Sequence, residues 1–329
     1  MEKLILYLVF LIVICAGIFL WMHNRQGHFR PRILTNNVKA KIEPYLFILP
    51  VFIVLLLMFG NPLINSFILA FENYKLSAPN DIRFNGVDNF VKLFSDSDIL
   101  LVIKNSFVYV FASVAGQFLL GLTLALALKK NFRGRGIYQA IVFLPWAFSA
   151  FVTGLMFRWS FNGEYGVVND LLLKFNLLTE RIAWLGTPGI SLLVVILAMI
   201  WMGVPFFAIM NLAALQSIPA EVYEACEIDG CGIVKKFFKI TLPYIKPTII
   251  TTLLLRTIWV FNSFDLIVVI TNGGPASTSQ TLPSYMYTRA FSSYDFGLAS
   301  ALGIILLLVL VVYSVVFLSV TNYNKAGDF

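Results

Sequence analysis

IPAEVYEACEIDGCGIVKKFFKITLP, residues 218–243, is a polar island set between two long apolar runs. It holds four acids (Glu221, Glu224, Glu227, Asp229), three lysines (Lys235, Lys236, Lys239) and a glycine on either side of Cys231. Pro219 suits the first turn of a helix, where its missing N–H costs nothing, and Glu221 follows where negative charge is favoured. Nothing from there to Ile228 breaks a helix. Val222, Ala225 and Ile228 share one face by their i, i+3, i+6 spacing, and Glu221, Glu224 and Glu227 share another. Asp229-Gly230 is a turn signal. Residues 233–240 read as a second short helix, lysines on one side and Phe237 and Ile240 on the other, ended by Pro243. A helix lying at lipid headgroups favours lysines spread over one face. An acidic helix turning into a basic one suits a protein cleft better.

The chain around the island is that of a membrane protein. Hydrophobic residues make up 59% of the 329 and charged residues only 12%, with a mean hydropathy of +0.84. Soluble domains carry about 25% charged residues. The net charge of +7 reads as basic cytoplasmic loops rather than as a nucleic-acid surface, which needs a basic face with stacking aromatics. Cys15, Cys226 and Cys231 form no Cys-x-x-Cys pair, so neither a disulfide framework nor a zinc site is expected, and no metal site is assigned.

Seven apolar runs are long enough to cross a bilayer core of ~30 Å. They cover residues 4–22, 45–71, 102–128, 137–161, 190–212, 244–270 and 296–320. The first is followed rather than preceded by most of its nearby basic residues, which reads as a retained span and not a cleaved leader. Pro50 and the Gly60-Asn61-Pro62 phrase interrupt the second run, and Pro145 and Trp146 lie inside the fourth. The loops after runs one, three and five, with the tail, hold more than twice the Lys and Arg of the other loops. The positive-inside rule then puts the N-terminus outside, the C-terminus in the cytoplasm and the polar island in the cytoplasm. The expected fold class is all-α, a polytopic membrane helix bundle of about seven spans.

Glu224-Ala225-Cys226, then Asp229-Gly230-Cys231, Phe237, Ile240, Leu242 and Pro243 resemble, position for position, the EAA loop of ABC importer membrane subunits. Cysteine replaces the third and eighth residues of that pattern, both usually alanine, and is small and apolar enough to pack similarly. The resemblance runs over about residues 44–323. Tyr45-Leu46-Phe47-Ile48-Leu49-Pro50, Phe143-Leu144-Pro145-Trp146 and Thr271-Asn272-Gly273-Gly274-Pro275 look like landmarks of the carbohydrate-uptake branch. With Phe264-Asp265, the Gly-Gly-Pro turn resembles the larger membrane subunit of maltose-type transporters.

The resemblance implies an extra N-terminal span and basic loop in 1–43, a six-span importer core of type I in 44–323 and a short tail in 324–329. It also implies partners: a second homologous permease subunit, two cytoplasmic ATPase subunits and an extracytoplasmic solute-binding protein carrying a carbohydrate. All would work at a bacterial cytoplasmic (inner) membrane. The coupling residues carried over are Glu224, as the buried anchor in the ATPase cleft, with Ala225, Asp229, Gly230, Phe237 and Pro243. No Gly-x-x-x-x-Gly-Lys-Ser/Thr stretch occurs, so ATP and Mg are expected on the partner and no catalytic residue or cofactor on this chain.

For the transport path, Arg256, Asn262 and Asp265 stand inside run six, where ionisable residues mark functional positions by default. Asn262 and Asp265, three apart, are expected on one helix face with Trp259 near, an aromatic-plus-amide-and-acid set suited to a sugar. Against this stands interhelical bonding that only holds the bundle, which weighs most at Arg256. Trp146 and Phe148 are weaker candidates. A stand-alone secondary carrier for a sugar or similar solute is the alternative; it calls for two related halves and coupling acids, and only Asp265 qualifies. A purely structural scaffold leaves the acidic docking helix without a reason.

Overall fold

The computed structural model describes Tyr45 and residues 48–321. The expected first span, the basic loop after it and the tail at 324–329 lie outside the described residues. The chain divides after Ile68 into two compact units, each taken by itself.

The first unit's described part is Tyr45 and the apolar helix α1 (Ile48–Leu69), whose last residue already belongs to the second unit. Gly60-Asn61-Pro62 does not interrupt it, contrary to expectation. A single π-turn at Leu56–Gly60 precedes Pro62. A proline inside a helix frees the carbonyl four residues back and crowds it. Here that carbonyl belongs to Met58, inside the widened turn.

The second unit is an all-helical bundle, with no strand among the described residues beyond two isolated bridges. Its helices are α2 (Asp88–Ser95), α3 (Ile99–Lys129), α4 (Arg135–Phe143), α5 (Ala150–Ser160), α6 (Val167–Lys174), α7 (Ile190–Gln216), α8 (Ala220–Ile228), α9 (Ile233–Lys236), α10 (Leu242–Asn262), α11 (Asp265–Ile270), α12 (Leu282–Phe291) and α13 (Phe296–Thr321). Helices α3 and α7 form its spine, and Tyr109, Val110, Val194, Met199 and Phe207 sit buried in the core between the helices. The outer side of α13 keeps Leu307, Leu308, Val311, Val312, Val315 and Val316 exposed. That is what a lipid-facing or partner-facing helix requires, since lipid tails are as apolar as leucine.

Two expected spans are broken. Run four is not one helix: α4 ends in a 3₁₀ turn at Leu144–Ala147 around Pro145, and α5 leaves at 96°. The Ser149 side chain caps α5 by accepting from the Val152 amide at 3.3 Å, so the new direction has its own start signal. Run six stops at Asn262. Ser263 is extended (ψ 126°), and α11 restarts at Asp265.

Polar chemistry collects at one end of the bundle. Asn89, buried at the start of α2, donates to the carbonyls of Ala70 and Glu72, both at 2.9 Å. Asn105 donates to the Thr278 carbonyl, Ser277 donates to Asp98, and the Leu282 amide donates to Ser106. Lys75 pairs with Asp295 at 3.0 Å. Asp96 accepts from Arg289 at 2.6 Å and from the Tyr285 hydroxyl. Burial pushes the Asp96 carboxyl up, but the Tyr285 hydroxyl, the Asp98 amide and the Arg289 charge together hold it below the usual carboxylate range. In the loop between α5 and α7, Asn169 is fully buried and makes four bonds: to the Gly163 and Ile182 carbonyls, and from the Ile182 amide and the Trp184 indole.

Candidate functional site: the elbow at residues 218–243

The opposite end carries the island. Ile218 packs with Ala125, Leu128, Leu212, Leu215, Ile245 and Ile249, an apolar knot at the ends of α3, α7 and α10. Glu221 lies in the first turn of α8, as the sequence predicts, while Pro219 sits extended at the cap position just before it rather than in the first turn. The helix ends by a left-handed cap. The Asp229 amide donates to Ala225 O at 3.0 Å, Gly230 takes φ +70°, and the Cys231 amide donates to Cys226 O at 2.9 Å. Only glycine adopts that backbone without cost, and it closes the helix by satisfying its last carbonyls.

Two features differ from the sequence reading. Residues 233–240 are not a separate helix ended by Pro243. Helix α9 runs through a π-turn at Phe237–Thr241 straight into α10, with Pro243 in the first turn of the latter. The carbonyl four residues before this proline, that of Lys239, again lies in a π-turn, the device already seen in α1. Second, Cys226 and Cys231 are joined by a disulfide, their Cα atoms 5.3 Å apart, where none was expected. The Gly230 turn folds the chain back so that residues five apart in sequence face one another, which a search for Cys-x-x-Cys spacing overlooks.

One side of the elbow is braced. The Tyr223 hydroxyl lies 3.1 Å from Thr241 Oγ1, and the Lys129 ammonium sits 3.8 Å over the Tyr223 ring. Cys226 is buried on the same side, and Lys236 pairs with Glu227. The other side is open. Glu221, Glu224, Ala225, Asp229 and Gly230 are exposed, as are Ile228 (86%), Ile233 (88%) and Val234 (71%). The predicted residues Glu224, Ala225, Asp229 and Gly230 thus share one open corner. Phe237 and Pro243 are half-buried further along, Phe237 in edge contact with Phe238 at 5.0 Å. Tyr223 and Lys129 escaped the sequence reading. An aromatic hydroxyl within the acidic helix and a lysine closing a span were the available signals.

The transport-path candidates fall apart as a helix face. Asn262 ends α10 and Asp265 begins α11, so the extended Ser263 between them puts the two on different helices. Asn262 donates back to Ile258 O at 2.9 Å. Asp265, Asn262 and Trp259 are all exposed, Trp259 resting edge-on against Phe206 at 5.4 Å. Arg256 does something else. It is buried, and its Nε donates to Gln117 Oε1 at 2.7 Å, while Gln117 Nε2 donates to Met199 O at 2.9 Å. No carboxylate pairs with it among the described residues. A Cβ on Gly203 would overlap both Gln117 and Arg256, so only glycine leaves the link its room. The link ties α3, α7 and α10, and Gln117 was not singled out in the sequence.

An open, braced acidic elbow therefore lies at one end of a helical bundle whose spans four and six are broken. Residues 117–324 match the family described as binding-protein-dependent transport system inner membrane component. The chain belongs to that family. It is 33% identical to the sulfoquinovosyl glycerol transport system permease protein SmoG of Agrobacterium fabrum over 275 residues, 84% of this chain and 89% of that one. It is 32% identical to the trehalose/maltose transport system permease protein MalF of Thermococcus litoralis over 300 residues, 89% of this chain and the whole of that one. Among solved structures, it superimposes on a chain of a bacterial ABC transporter involved in the import of the acidic polysaccharide alginate. The TM-score there is 0.76 at 26% identity, covering 87% of this chain and 99% of that one. The protein is an ABC permease subunit with several membrane helices, not itself catalytic.

Proposed function

We propose that the chain is one of two membrane subunits of an ATP-driven importer for a carbohydrate, an oligosaccharide by the company it keeps. An external solute-binding protein delivers the cargo, and two cytoplasmic ATPase subunits bind ATP and Mg. The similarity to permeases named for trehalose/maltose and sulfoquinovosyl glycerol supports a sugar cargo. An alginate transporter solved with its alginate pentasaccharide-bound periplasmic protein supports the external partner. The Lys and Arg bias supports an outside N-terminus and a cytoplasmic C-terminus and elbow.

The single observation that carries the coupling role is the two-sided elbow. Its open corner offers Glu224 and Ala225 to a cleft on the ATPase, with Asp229 and Gly230 setting the turn that aims the helix. Its braced side passes displacement through Tyr223 to the start of α10 and the end of α3. Those two helices meet again at Arg256 and Gln117, so a push on the elbow reaches mid-bundle through packed, bonded elements. There the backbone opens at Ser263. Unwound backbone in a broken span is where transporters hold polar cargo, and Trp259, Asn262 and Asp265 flank it.

The test is Glu224→Lys in the chain co-expressed with the products of its neighbouring genes. The ATPase subunit is expected to stop co-eluting and transport to fall by about two orders of magnitude, the effect of reversing a charge in a buried charge-assisted contact. Assembly and transport that survive the lysine refute the docking role. Titrating the binding protein against a sugar panel identifies the cargo.

A further inference from the structure

The elbow contains a pair that docking does not use. Cys226 lies in the last turn of α8, 4% exposed, and Cys231 lies just past Gly230, half-buried. Their Cα separation of 5.3 Å is within the range a disulfide spans without backbone movement. The turn between them is also held by backbone bonds, from the Asp229 amide to Ala225 O and from the Cys231 amide to Cys226 O, so the geometry persists when the sulfurs are thiols. In a reducing cytoplasm a disulfide forms transiently and reports redox state. The residues on either side, Ile228, Ile233 and Val234, are the most exposed apolar groups of the loop, and the bond fixes the angle at which they are offered.

We propose that Cys226 and Cys231 form a reversible thiol–disulfide site that stiffens the coupling elbow under oxidation. The oxidant class is a peroxide. Cys231, the more accessible sulfur, attacks as the thiolate; its S–O bond forms as the O–O bond breaks, and the departing hydroxide takes a proton to become water. The Cys226 sulfur then attacks the sulfenic sulfur. The S–S bond forms, the S–O bond breaks, and the second hydroxide leaves as water with the proton from Cys226. The two sulfurs give up two electrons and the peroxide accepts two. A cytoplasmic dithiol returns two electrons and two protons. A stiff elbow transmits displacement with less slack than one held by backbone bonds alone, so the oxidised importer spends fewer ATP per solute moved.

This inference rests on the reading of the elbow as the cytoplasmic ATPase-docking part, and the experiment separates the two. The complete importer in membrane vesicles is treated with hydrogen peroxide or with a dithiol reductant, alkylated, and cut after Glu227, between the cysteines. After peroxide the two fragments are expected to stay joined and unalkylated, and to separate on reduction. The ratio of ATP hydrolysed to solute transported is expected to fall on oxidation in the native chain and to stay put in Cys226→Ala/Cys231→Ala. Fragments that separate after peroxide overturn the proposal, and so does a ratio that is the same in both redox states. Glu224→Lys run alongside keeps the failures distinct. If it still abolishes assembly while the cysteines do nothing, the docking reading stands and the redox site falls. If it has no effect, the docking reading is what failed.

Discussion

The two ends of the bundle are built on opposite plans. At the end that holds residues 69–98, 162–189 and 271–295, loops are locked by buried asparagines, capped carbonyls and ion pairs. At the elbow, the chain keeps one braced side and leaves its acids, with Ile228, Ile233 and Val234, in the open. Asparagine suits the first task because its amide both donates and accepts, and one buried residue can hold two segments of backbone. Open acids and aliphatics beside a stiff helix suit the second, since such a surface is completed by a partner. The locked end therefore governs whether the subunit stands. On the proposed coupling role, the elbow governs whether it is driven.

That division predicts which substitutions change stability and which change only coupling. Asn169→Ala should have the largest effect at the locked end. It deprives two carbonyls, one amide and the Trp184 indole of their partner at a fully buried position. The cost is about 3 kcal/mol, read as a lowered melting temperature in detergent with ATPase binding intact in whatever remains folded. A stable Asn169→Ala subunit breaks the comparison. Next is Gln117→Leu, which leaves the Nε of the buried Arg256 without its acceptor and only the weak Met199 Sδ contact to its Nη2. Interhelical side-chain bonds inside membranes are worth about 0.6 kcal/mol on average and up to about 1.7, so for a bond to a buried charge a loss of roughly 1–2 kcal/mol is predicted. Transport should fall further than that stability loss explains if the α3–α10 link carries displacement.

A smaller effect, on pH, sharpens the locked end further. The Asp96 carboxyl titrates below its unfolded value because Tyr285, Asp98 and Arg289 outweigh its burial. Its contribution is thus complete above the unfolded value near ~3.9 and is lost as pH falls below that toward the folded value. The cluster is partly in water, so about 1 kcal/mol or less is at stake. Melting temperature measured between pH 7 and pH 3 should drop in the acid limb for the native chain and drop less for Asp96→Asn. Equal acid limbs would remove the cluster from the account of this end.

How much of this was legible depended on whether the signal was local. The all-helical membrane bundle followed from apolar run length, and the elbow's start, turn and open acids followed from Pro219, Glu221 and Asp229-Gly230. Those depend only on nearest neighbours. The breaks did not follow. Pro145 lies where its span bends, while Pro62 and Pro243 stand in continuous helix, each four residues past a carbonyl in a π-turn, and Pro205 stands in unbroken α7 without one; a list of residues does not reveal which course the chain takes. Asn262 and Asp265 lost their shared face for the same reason: one extended residue, Ser263, reset the helical phase. Gln117 was unreadable because its meaning lies in Arg256, 139 positions away. The two cysteines were in plain view, but only a left-handed glycine between them makes them neighbours.

The smallest predicted effect tests the comparison at the elbow itself. Tyr223→Phe keeps the ring, and with it the Lys129 contact, but removes the hydroxyl that meets Thr241. A half-buried hydrogen bond of this kind is worth about 0.5–1 kcal/mol, too little to shift the melting temperature by more than a few degrees. If the brace only fills space, phenylalanine should be silent. If it passes force from α8 to α10, the ATPase subunit should still co-elute, because Glu224 and its corner are untouched, while ATP hydrolysed per solute rises. Tyr223→Ala, which also strips the ring from beneath Lys129, should raise that ratio further. An unchanged ratio in both variants, with the ATPase still bound, would mean that docking and force transmission run through the open side alone, and the elbow would have one working face instead of two.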